Sequence, residues 1–505
     1  MVTRPETQSL ADLIARRSSE SADSVFLEDA RSDRAFSYAQ FARAVERWRE
    51  LFDGLALPNG AAVVIAVRDP LAFSVVHLAV VASGRRSVPI NPDLHDGEPS
   101  RSATLLGAQG LIVVDSSIAR PAVDGWSSVG VGPDGQPVDV VRSSATPGTP
   151  GELLDGGAAV LFTSGSTGTP KGVELPEKQL LFVARSVAEN NDLGPADRGF
   201  NSLPLFHVNA EVVALLATLV AGATIVFDTS FHRTGFWQLI RDRRITWLNA
   251  VPAILAVLTR DGERIPETGL RFVRSASAPL PDGVRTALSS VPLVLSWGMT
   301  EGASQITATP IGDTDHPGSV GRPLGAEIEV RDADGDPLPI GEVGALWIRG
   351  EGIIRRYLFD RAADRFDADG WLSTGDLGRM DDDGYVYLAG RSDDVINRGG
   401  EKVYPAEVEE VLLGDSRVLE AVVVARADDI LGSVPVAYVI PVESESLDGS
   451  QNGTKNATLL DDLRARCEVG LPRFKRPVEI AVVPDLPRAP TGKVQRSKVR
   501  ELAAK

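Results

Sequence analysis

Short apolar runs alternate with longer amphipathic stretches through the first half of this 505-residue chain. Residues 61–67 and Gly110–Asp115 are predicted to be buried strands, and residues 70–83 between them are predicted to form a helix. Further along, residues 212–227 are predicted to be a buried helix followed by a buried strand. Strand–helix alternation of this kind is typical of an α/β fold, with mostly parallel sheets covered by helices.

The pattern changes near Gly321, where the predicted strands become short. Asp-Gly pairs, which are typical of hairpin turns, follow at residues 334–335, 369–370 and 383–384. We therefore expect two mostly parallel sheets and then an antiparallel, barrel-like region. After Arg391 the pattern is again mixed α and β. The polar segments at residues 142–157 and 443–458 are predicted to be surface loops.

The composition limits the partners that such a chain can have. It has 52 Lys and Arg against 69 Asp and Glu, a net charge of −17, which disfavours nucleic acid and anionic membranes. The longest apolar run is shorter than the roughly 20 residues of a membrane span, and the N-terminus lacks a secretory signal pattern. One cysteine, Cys467, excludes an internal disulfide. We expect a cytoplasmic protein that is a monomer or a homodimer.

Two motif-like strings are better explained as turns. Residues 130–135 match the dinucleotide pattern GxGxxG, but Pro133 lies inside the motif, so a surface turn is favoured. Residues 332–336 resemble part of a calcium loop, but the glycine is misplaced and the twelfth-position Glu is missing, which favours a hairpin turn. His77 lies within an apolar helix and is interpreted as a hydrogen-bonded core residue or a surface residue, and not as a metal ligand.

The most informative segment follows a predicted strand at residues 158–162. It consists almost wholly of Gly, Ser and Thr and ends in Pro-Lys-Gly: Thr163, Ser164, Gly165, Ser166, Thr167, Gly168, Thr169, Pro170, Lys171 and Gly172. Glycines let backbone N–H groups approach an anion, hydroxyls add donors, and Lys171 adds a positive charge. The pattern predicts a phosphate-holding loop. It fits neither the Walker pattern of kinases and ATPases nor the GxSxG elbow of hydrolases.

This loop resembles the phosphate loop of the adenylate-forming superfamily, which includes acyl- and aryl-CoA synthetases, nonribosomal peptide adenylation domains and firefly luciferases. Seven further motifs resemble those of the family and follow in its order, at residues 203–207, 275–280, 297–301, 373–376, 390–394, 399–409 and 490–493. The resemblance implies a large N-terminal domain, residues 1–390, and a small mobile C-terminal α+β domain, residues 391–505.

The resemblance implies ATP-dependent activation of a carboxylic acid to an acyl-adenylate, with pyrophosphate release, and then transfer to CoA to give a thioester. Lys493 would bridge the acid, the ribose and the α-phosphate. Glu301 would hold Mg²⁺, Thr300 would hydrogen-bond the α-phosphate, and His207 would lie beside the acyl pocket.

The remaining implied positions bind nucleotide and CoA. The residues expected around adenine and ribose are Ser277, Ala278, Pro279, Trp297, Gly298, Met299, Asp376 and Arg391. Gly399 and Gly400 would line the pantetheine path of CoA, because a missing side chain permits close approach. Asp393 stands at the family's hinge position.

The sequence departs from the family pattern in three places. Trp297 replaces a tyrosine, which keeps an aromatic ring but loses a hydroxyl. Ala276-Ser277 stands where Gly-Gly is frequent, which would narrow the acyl pocket. The stretch at residues 352–357 stands where many members have a motif ending in Gly-Tyr, and Arg355 and Arg356 make this stretch unusually basic. The two arginines would either contact CoA phosphates or face solvent. Glu211 could face a cationic group on the acid, although a solvated or helix-capping role is favoured.

Other functions remain open at this point. An ATP-dependent amide bond synthetase would use the same adenylate and pass the acyl group to an amine. A carrier protein could replace CoA as acceptor. A kinase or ATPase would produce ADP, and a noncatalytic adenylate sensor would have lost Lys493, Glu301 or Asp376, all of which are present.

Overall fold

The computed structural model describes residues 9–93, 100, 102–103, 106, 110–118, 123–143, 156–163, 171–260, 265–358, 362–415, 417–442, 452–488 and 494–503. Its α-helices are α1 (Leu10–Glu20), α2 (Tyr38–Gly54), α3 (Pro70–Ala82), α4 (Glu177–Asn190), α5 (Ala217–Ala221), α6 (Phe236–Asp242), α7 (Pro252–Leu258), α8 (Asp282–Ala287), α9 (Pro405–Leu413), α10 (Asn452–Gly470) and α11 (Arg496–Ala503). A π-helix spans Asn209–Leu216, and 3-10 turns span Thr300–Gly302, Ala363–Arg365, Ser392–Asp394 and Arg473–Lys475.

The strands up to the middle of the chain are β1 (Val25–Asp29), β2 (Ala35–Ser37), β3 (Ala62–Ala66), β4 (Arg86–Pro89), β5 (Gly110–Asp115), β6 (Ser127–Val131), β7 (Pro137–Val141), β8 (Ala158–Thr163), β9 (Lys171–Pro176), β10 (Arg198–Asn201), β11 (Thr224–Phe227) and β12 (Trp247–Ala250). The later strands are β13 (Phe272–Ser275), β14 (Leu293–Trp297), β15 (Thr307–Ala308), β16 (Arg322–Pro323), β17 (Ala326–Arg331), β18 (Gly344–Gly350), β19 (Leu372–Met380), β20 (Val386–Arg391), β21 (Ile396–Arg398), β22 (Glu401–Val403), β23 (Val418–Asp428), β24 (Gly432–Pro441) and β25 (Glu479–Val482).

The first sheet has the strand order β7-β6-β5-β3-β4-β8-β9 and is parallel from β6 to β8, with antiparallel strands at both edges. All five residues of β3 are buried, because a parallel sheet that helices cover on both faces needs apolar side chains on both sides. Helix α3 packs beside it and is buried along nearly its whole length. Asp69 caps this helix by accepting a hydrogen bond from the Ala72 backbone N–H at 2.8 Å. The predicted strands and helix are confirmed.

The second sheet positions the candidate site. Its order is β16-β15-β14-β13-β12-β10-β11-β1-β2, and the strands from β1 to β14 in this order run parallel. The carboxyl ends of parallel strands meet at one edge of a sheet, where α/β proteins usually bind ligands. Strands β10, β13 and β14 end at Asn201, Ser275 and Trp297. The motifs at residues 203–207, 275–280 and 297–301 therefore leave the sheet at the same edge.

The third sheet is antiparallel, with the order β17-β18-β19-β20. The predicted Asp-Gly turns lie within this region, and Gly335, Gly370 and Gly384 have φ angles of +92°, +80° and +80°. Glycine adopts this left-handed conformation without steric cost. The backbone N–H of Asp332 bonds to the carbonyl of Asp336 at 2.9 Å, so residues 332–336 form the predicted hairpin turn.

The last sheet has the order β22-β21-β24-β23, with β25 parallel to β24. Helix α10 packs Leu459, Leu463 and Cys467 into its core. Burial raises the pKa of the Cys467 thiol to about 11.

Two predictions about local structure need correction. The polar segment at residues 443–458 is not a loop throughout, because α10 already begins at Asn452; the buried leucines further along the helix anchor its polar first turns. The helix predicted from residue 212 begins as a π-helix at Asn209, and it leads to β11 as expected. Among the described residues, no helix combines the length and apolar character that crossing a membrane requires.

Candidate active site

The segment after β10 carries His207 to the edge of the second sheet. Its backbone N–H bonds to the carbonyl of Pro204 at 3.1 Å, and its ring lies 4.5 Å from the ring of Phe206. His207 Nε2 is buried and has no hydrogen-bond partner among the described residues. Burial lowers the pKa of His207 to about 4, so the imidazole is neutral at pH 7.

The segment after β13 presents its three predicted adenine-side residues at the surface. Ser277, Ala278 and Pro279 are exposed, between buried Ala276 and Leu280. Ser277 has φ +78°, a conformation that is uncommon for a residue with a side chain and that recurs at functional sites.

The segment after β14 makes a tight turn that leaves no space for a side chain at Gly298. A Cβ added there would lie 1.5 Å from the backbone oxygen of Ser304. The following 3-10 turn contains Thr300, which is partly buried, and Glu301, which is 5% exposed. Met299 accepts hydrogen bonds from the backbone N–H groups of Gly302 and Ser304, both at 3.1 Å. The turn is thus held rigidly at the strand end.

Glu301 is the centre of a hydrogen-bonded group. Its Oε1 accepts from the Tyr357 hydroxyl at 2.7 Å and from Arg365 Nη1 at 3.2 Å, and Arg365 Nη1 also donates to the Tyr357 oxygen at 2.7 Å. Burial, together with the Glu301 carboxylate, raises the pKa of Tyr357 well above its usual range. Gln179 of α4 donates to the Glu301 backbone oxygen at 3.2 Å. Tyr357 and Arg365 therefore hold the carboxylate, and Gln179 holds the backbone of the same residue.

Lys171 lies beside the same group, with Nζ 5.9 Å from the centre of the Tyr357 ring. The predicted phosphate-loop residues Ser164, Gly165, Ser166, Thr167 and Gly168 lie outside the described residues, as does Lys493. The two ends of the loop are adjacent, because Thr163 of β8 pairs with Lys171 of β9.

Asp376 joins two other predicted motifs. Its Oδ2 accepts a hydrogen bond from Trp297 Nε1 at 2.9 Å, and its Oδ1 accepts from Arg391 Nη1 at 2.9 Å. Asp376 and Arg391 are also partners across β19 and β20. A Cβ added at Gly375, which has φ +75°, would lie 2.8 Å from Arg391 Nη2, so the guanidinium would have to shift. The tryptophan that replaces the family's tyrosine therefore supplies a donor to the predicted ribose carboxylate.

The predicted CoA and hinge residues lie in the last part of the chain. Gly399 and Gly400 form the exposed turn between β21 and β22, with φ angles of +62° and +95°. Asp393 is exposed in the 3-10 turn directly after β20, and its backbone oxygen accepts from Arg500 at 2.9 Å. In the described part of the chain, no hydrogen bond links these three residues to Glu301 or Asp376.

The structure corrects the interpretation of Glu211. It is not solvated, because it is fully buried, and its Oε1 lies 3.1 Å from His77 Nε2. His77 Nδ1 in turn lies 2.7 Å from the Ser87 hydroxyl. This contact ties the π-helix that follows His207 to α3. Of the two interpretations of His77, that of a hydrogen-bonded core residue is correct.

Sequence reasoning missed several residues of the site. Arg365 and Gln179 lie in none of the motifs. Arg274 did carry a signal, since a charged residue inside the four-residue buried strand β13 is unusual. Arg355 and Arg356 are exposed, as one of the two interpretations expects.

Comparison with known proteins identifies the family to which the chain is similar. The family model of the AMP-binding enzyme matches residues 14–358, and that of the AMP-binding enzyme C-terminal domain matches residues 407–493. The chain is 40% identical to sulfoacetate–CoA ligase of Cupriavidus necator over 68% of this chain and 67% of that protein. It is 33% identical to oxalate–CoA ligase of Arabidopsis thaliana over 72% of this chain and 70% of that protein.

A solved structure of similar fold is o-succinylbenzoate CoA synthetase from Bacillus subtilis. Its complex with ATP and a magnesium ion matches with a TM-score of 0.79 and 27% identity, over 96% of this chain and 98% of that one. Its complex with the acyl-adenylate intermediate matches with a TM-score of 0.79 and 26% identity, over 97% of both chains.

Proposed function

The chain belongs to the AMP-binding enzyme family, and on this premise we propose that it is an AMP-forming acid–thiol ligase. It activates a carboxylic acid with ATP and passes the acyl group to CoA. The observation that carries this proposal is the meeting of Trp297, Asp376 and Arg391, from three separate motifs, in one hydrogen-bonded cluster. A carboxylate oriented by two donors is suited to accept hydrogen bonds from the two hydroxyls of a ribose.

In the first half-reaction, a carboxylate oxygen of the acid attacks the α-phosphorus of ATP. The bond from this phosphorus to the bridging oxygen breaks, and pyrophosphate leaves. Such a reaction needs positioning and charge neutralisation rather than covalent help from the protein. We assign the contact with the α-phosphate to Thr300 and Lys493, and the contact with the leaving phosphates to Lys171 and the loop before it.

The residues around Glu301 fit a magnesium ion. Mg²⁺ at phosphate sites usually takes one or two carboxylates and several phosphate oxygens. Among the described residues there is no cluster of three or more His, Cys, Asp or Glu that could hold a metal alone. All hydrogen bonds of the Glu301 side chain go to Oε1, and Oε2 accepts none from the described residues. Glu301 would hold the ion through this oxygen, and the bound ion would neutralise phosphate charge.

In the second half-reaction, the sulfur of CoA attacks the acyl carbonyl, AMP leaves, and a thioester forms. We propose that residues 391–505 rotate about Asp393 between the two steps, so that Lys493 leaves and Gly399 and Gly400 enter. The space around Gly400 supports this role, since an added Cβ would meet no atom within 4 Å. We further propose a cytoplasmic enzyme that is a monomer or a homodimer and binds no nucleic acid.

A panel of carboxylic acids tests the proposal. Each acid is incubated with ATP and Mg²⁺, pyrophosphate release is measured, and CoA or an amine is then offered separately. Because two of the relatives are sulfoacetate and oxalate ligases, the panel includes these acids beside aryl and alkyl acids. We expect AMP, pyrophosphate and an acyl-CoA whose mass identifies the acid.

Two variants control for contaminating activity. Glu301→Gln should abolish pyrophosphate release, and Glu327→Gln, an exposed residue of β17, should leave it unchanged. Formation of ADP, or of an amide and no thioester, would contradict the proposal.

A further inference from the structure

Arg274 is a charged residue in the interior of the second sheet. It lies on β13, is fully buried (0% exposed), and forms no ion pair with any carboxylate of the described residues. Burial lowers the pKa of Arg274 to about 9, so the side chain is still protonated at pH 7. A buried charge without a counter-charge is costly. An anion placed near such a charge would stabilise it.

The partners of Arg274 are all neutral. They are the side-chain oxygens of Gln305 (3.1 and 3.2 Å), Asn249 (3.1 Å), Ser296 (3.0 Å) and Asn209 (3.4 Å). These bonds satisfy the N–H groups of the guanidinium but do not neutralise its charge. Gln305 directs Oε1 at the arginine, and its Nε2 is buried without a hydrogen-bond partner among the described residues. The network therefore holds both an unneutralised charge and an unused donor.

The network lies where three motifs meet. Asn209 follows His207 by two residues, Arg274 directly precedes the segment at residues 275–280, and Ser296 and Gln305 flank the turn that contains Glu301. Its members therefore join the predicted acyl-pocket segment to the carboxyl ends of β13 and β14. The carboxyl ends of these parallel strands form the edge at which α/β proteins usually bind ligands.

We propose that Arg274 is a specificity-determining residue that selects a small carboxylic acid with a second anionic group, either a carboxylate or a sulfonate. Gln305 Nε2 donates to the same group. The inference rests on the proposed function, because it assigns the far end of the acid that the enzyme activates.

The chemistry excludes other acids for definite reasons. A neutral acid leaves the buried charge unneutralised and places apolar groups against buried polar atoms, and sites built for a polar group reject analogues that lack it. A cationic acid is repelled. The network side chains are hydrogen-bonded to one another, and all of them except the partly buried Asn209 are buried, so the acid that reaches them has to be small.

Paired acids of similar shape test the proposal. The pairs are sulfoacetate with (methylsulfonyl)acetate, and malonate with its monomethyl ester; in each pair only the first acid carries the second charge. For each acid, kcat/KM is measured from pyrophosphate release. We expect the wild-type enzyme to prefer the charged acid by about 10²-fold or more in at least one pair, and the preferred pair distinguishes a sulfonate from a carboxylate.

Two variants separate specificity from a structural role. Arg274→Met should lower kcat/KM for the charged acid by about 10²-fold and change that for the neutral acid little. Gln305→Glu places a carboxylate against the guanidinium, so it should remove the same preference while the protein stays folded. If Arg274→Met does not fold, Gln305→Glu alone tests the proposal. Thermal unfolding and AMP binding monitor the fold and the nucleotide site of both.

The outcomes are distinct. If neutral acids are activated as well as charged ones, or if both variants lower both members of a pair equally, the role of Arg274 is overturned and the ligase function stands. If no acid of the panel releases pyrophosphate although the protein binds AMP, the proposed function fails, and the inference fails with it.

Discussion

A single hydrogen bond connects Trp297 to Asp376, and its removal tests how the nucleotide site is built. Trp297 Nε1 donates to Asp376 Oδ2 at 2.9 Å. The tryptophan is 5% exposed and the Asp376 side chain is 14% exposed, so water replaces this bond poorly. Trp297→Phe removes the donor but keeps an aromatic ring that can stack on adenine.

The loss of ATP-binding free energy in Trp297→Phe can be estimated from this hydrogen bond and from the exposure of its neighbours. A hydrogen bond to a charged group contributes about 1.5–3 kcal/mol. Arg391 still holds the other oxygen of Asp376 at 2.9 Å, but its side chain is 45% exposed, so it restrains the carboxylate less firmly. We take the lower value, about 1.5 kcal/mol, which corresponds to about tenfold in a binding constant. KM for ATP should rise about tenfold, with kcat little changed, because the role proposed for Asp376 is to hold the ribose and not the reacting phosphorus.

The assay is pyrophosphate release against ATP concentration at saturating acid, together with AMP binding by calorimetry. Trp237→Phe is the matched control, since Trp237 is a partly buried tryptophan of α6 outside this cluster; its KM for ATP should equal that of the wild type. If Trp297→Phe unfolds at the wild-type temperature and its KM for ATP stays within about twofold of the wild-type value, the reasoning is refuted.

Three further predictions concern Glu301, His207 and Lys493. Tyr357→Phe removes the hydroxyl that donates to Glu301 at 2.7 Å, so the Mg²⁺ concentration for half-maximal activity should rise about tenfold; an unchanged requirement would argue against this role of Glu301. The pKa of His207 is lowered to about 4, so between that value and about 6.5 the unfolded chain binds the extra proton, and the free energy of unfolding falls as the pH falls. His207→Gln should flatten this dependence in urea unfolding, and parallel curves would contradict it. Lys493→Ala should slow adenylation by about 10²–10³-fold and spare thioester formation from a supplied acyl-adenylate; equal loss in both steps would exclude the assigned role.

The edge of the second sheet could be predicted from the sequence, because its signals are local. Apolar runs mark the strands, and each motif directly follows one of them. Parallel strands then bring the motifs at residues 203–207, 275–280 and 297–301 to one edge. The Asp-Gly turns of the antiparallel sheet were predictable for the same reason, since a turn type depends on two adjacent residues.

The contacts inside the site could not be predicted, because they join distant parts of the chain. Glu211 and His77 are 134 residues apart, and no local pattern indicates that a buried carboxylate will meet a buried imidazole. Trp297 lost a hydroxyl relative to the family pattern, yet its indole N–H reaches a carboxylate 79 residues away. The first turns of α10 were predicted to be a loop because their polar residues show no helical periodicity. Tertiary packing of the later turns determines the conformation of the whole helix.

We propose that a carboxylate oxygen of the acid attacks the α-phosphorus of ATP. Following the transfer of that oxygen from the acid to AMP tests this attack most directly. An acid labelled with ¹⁸O in its carboxylate is converted with ATP, Mg²⁺ and CoA, and the phosphate-containing products are analysed by mass spectrometry. Attack by the carboxylate predicts one labelled oxygen in AMP, none in pyrophosphate, and an acyl-CoA that keeps the other labelled oxygen. Label in orthophosphate alongside ADP, or AMP without label, would contradict it.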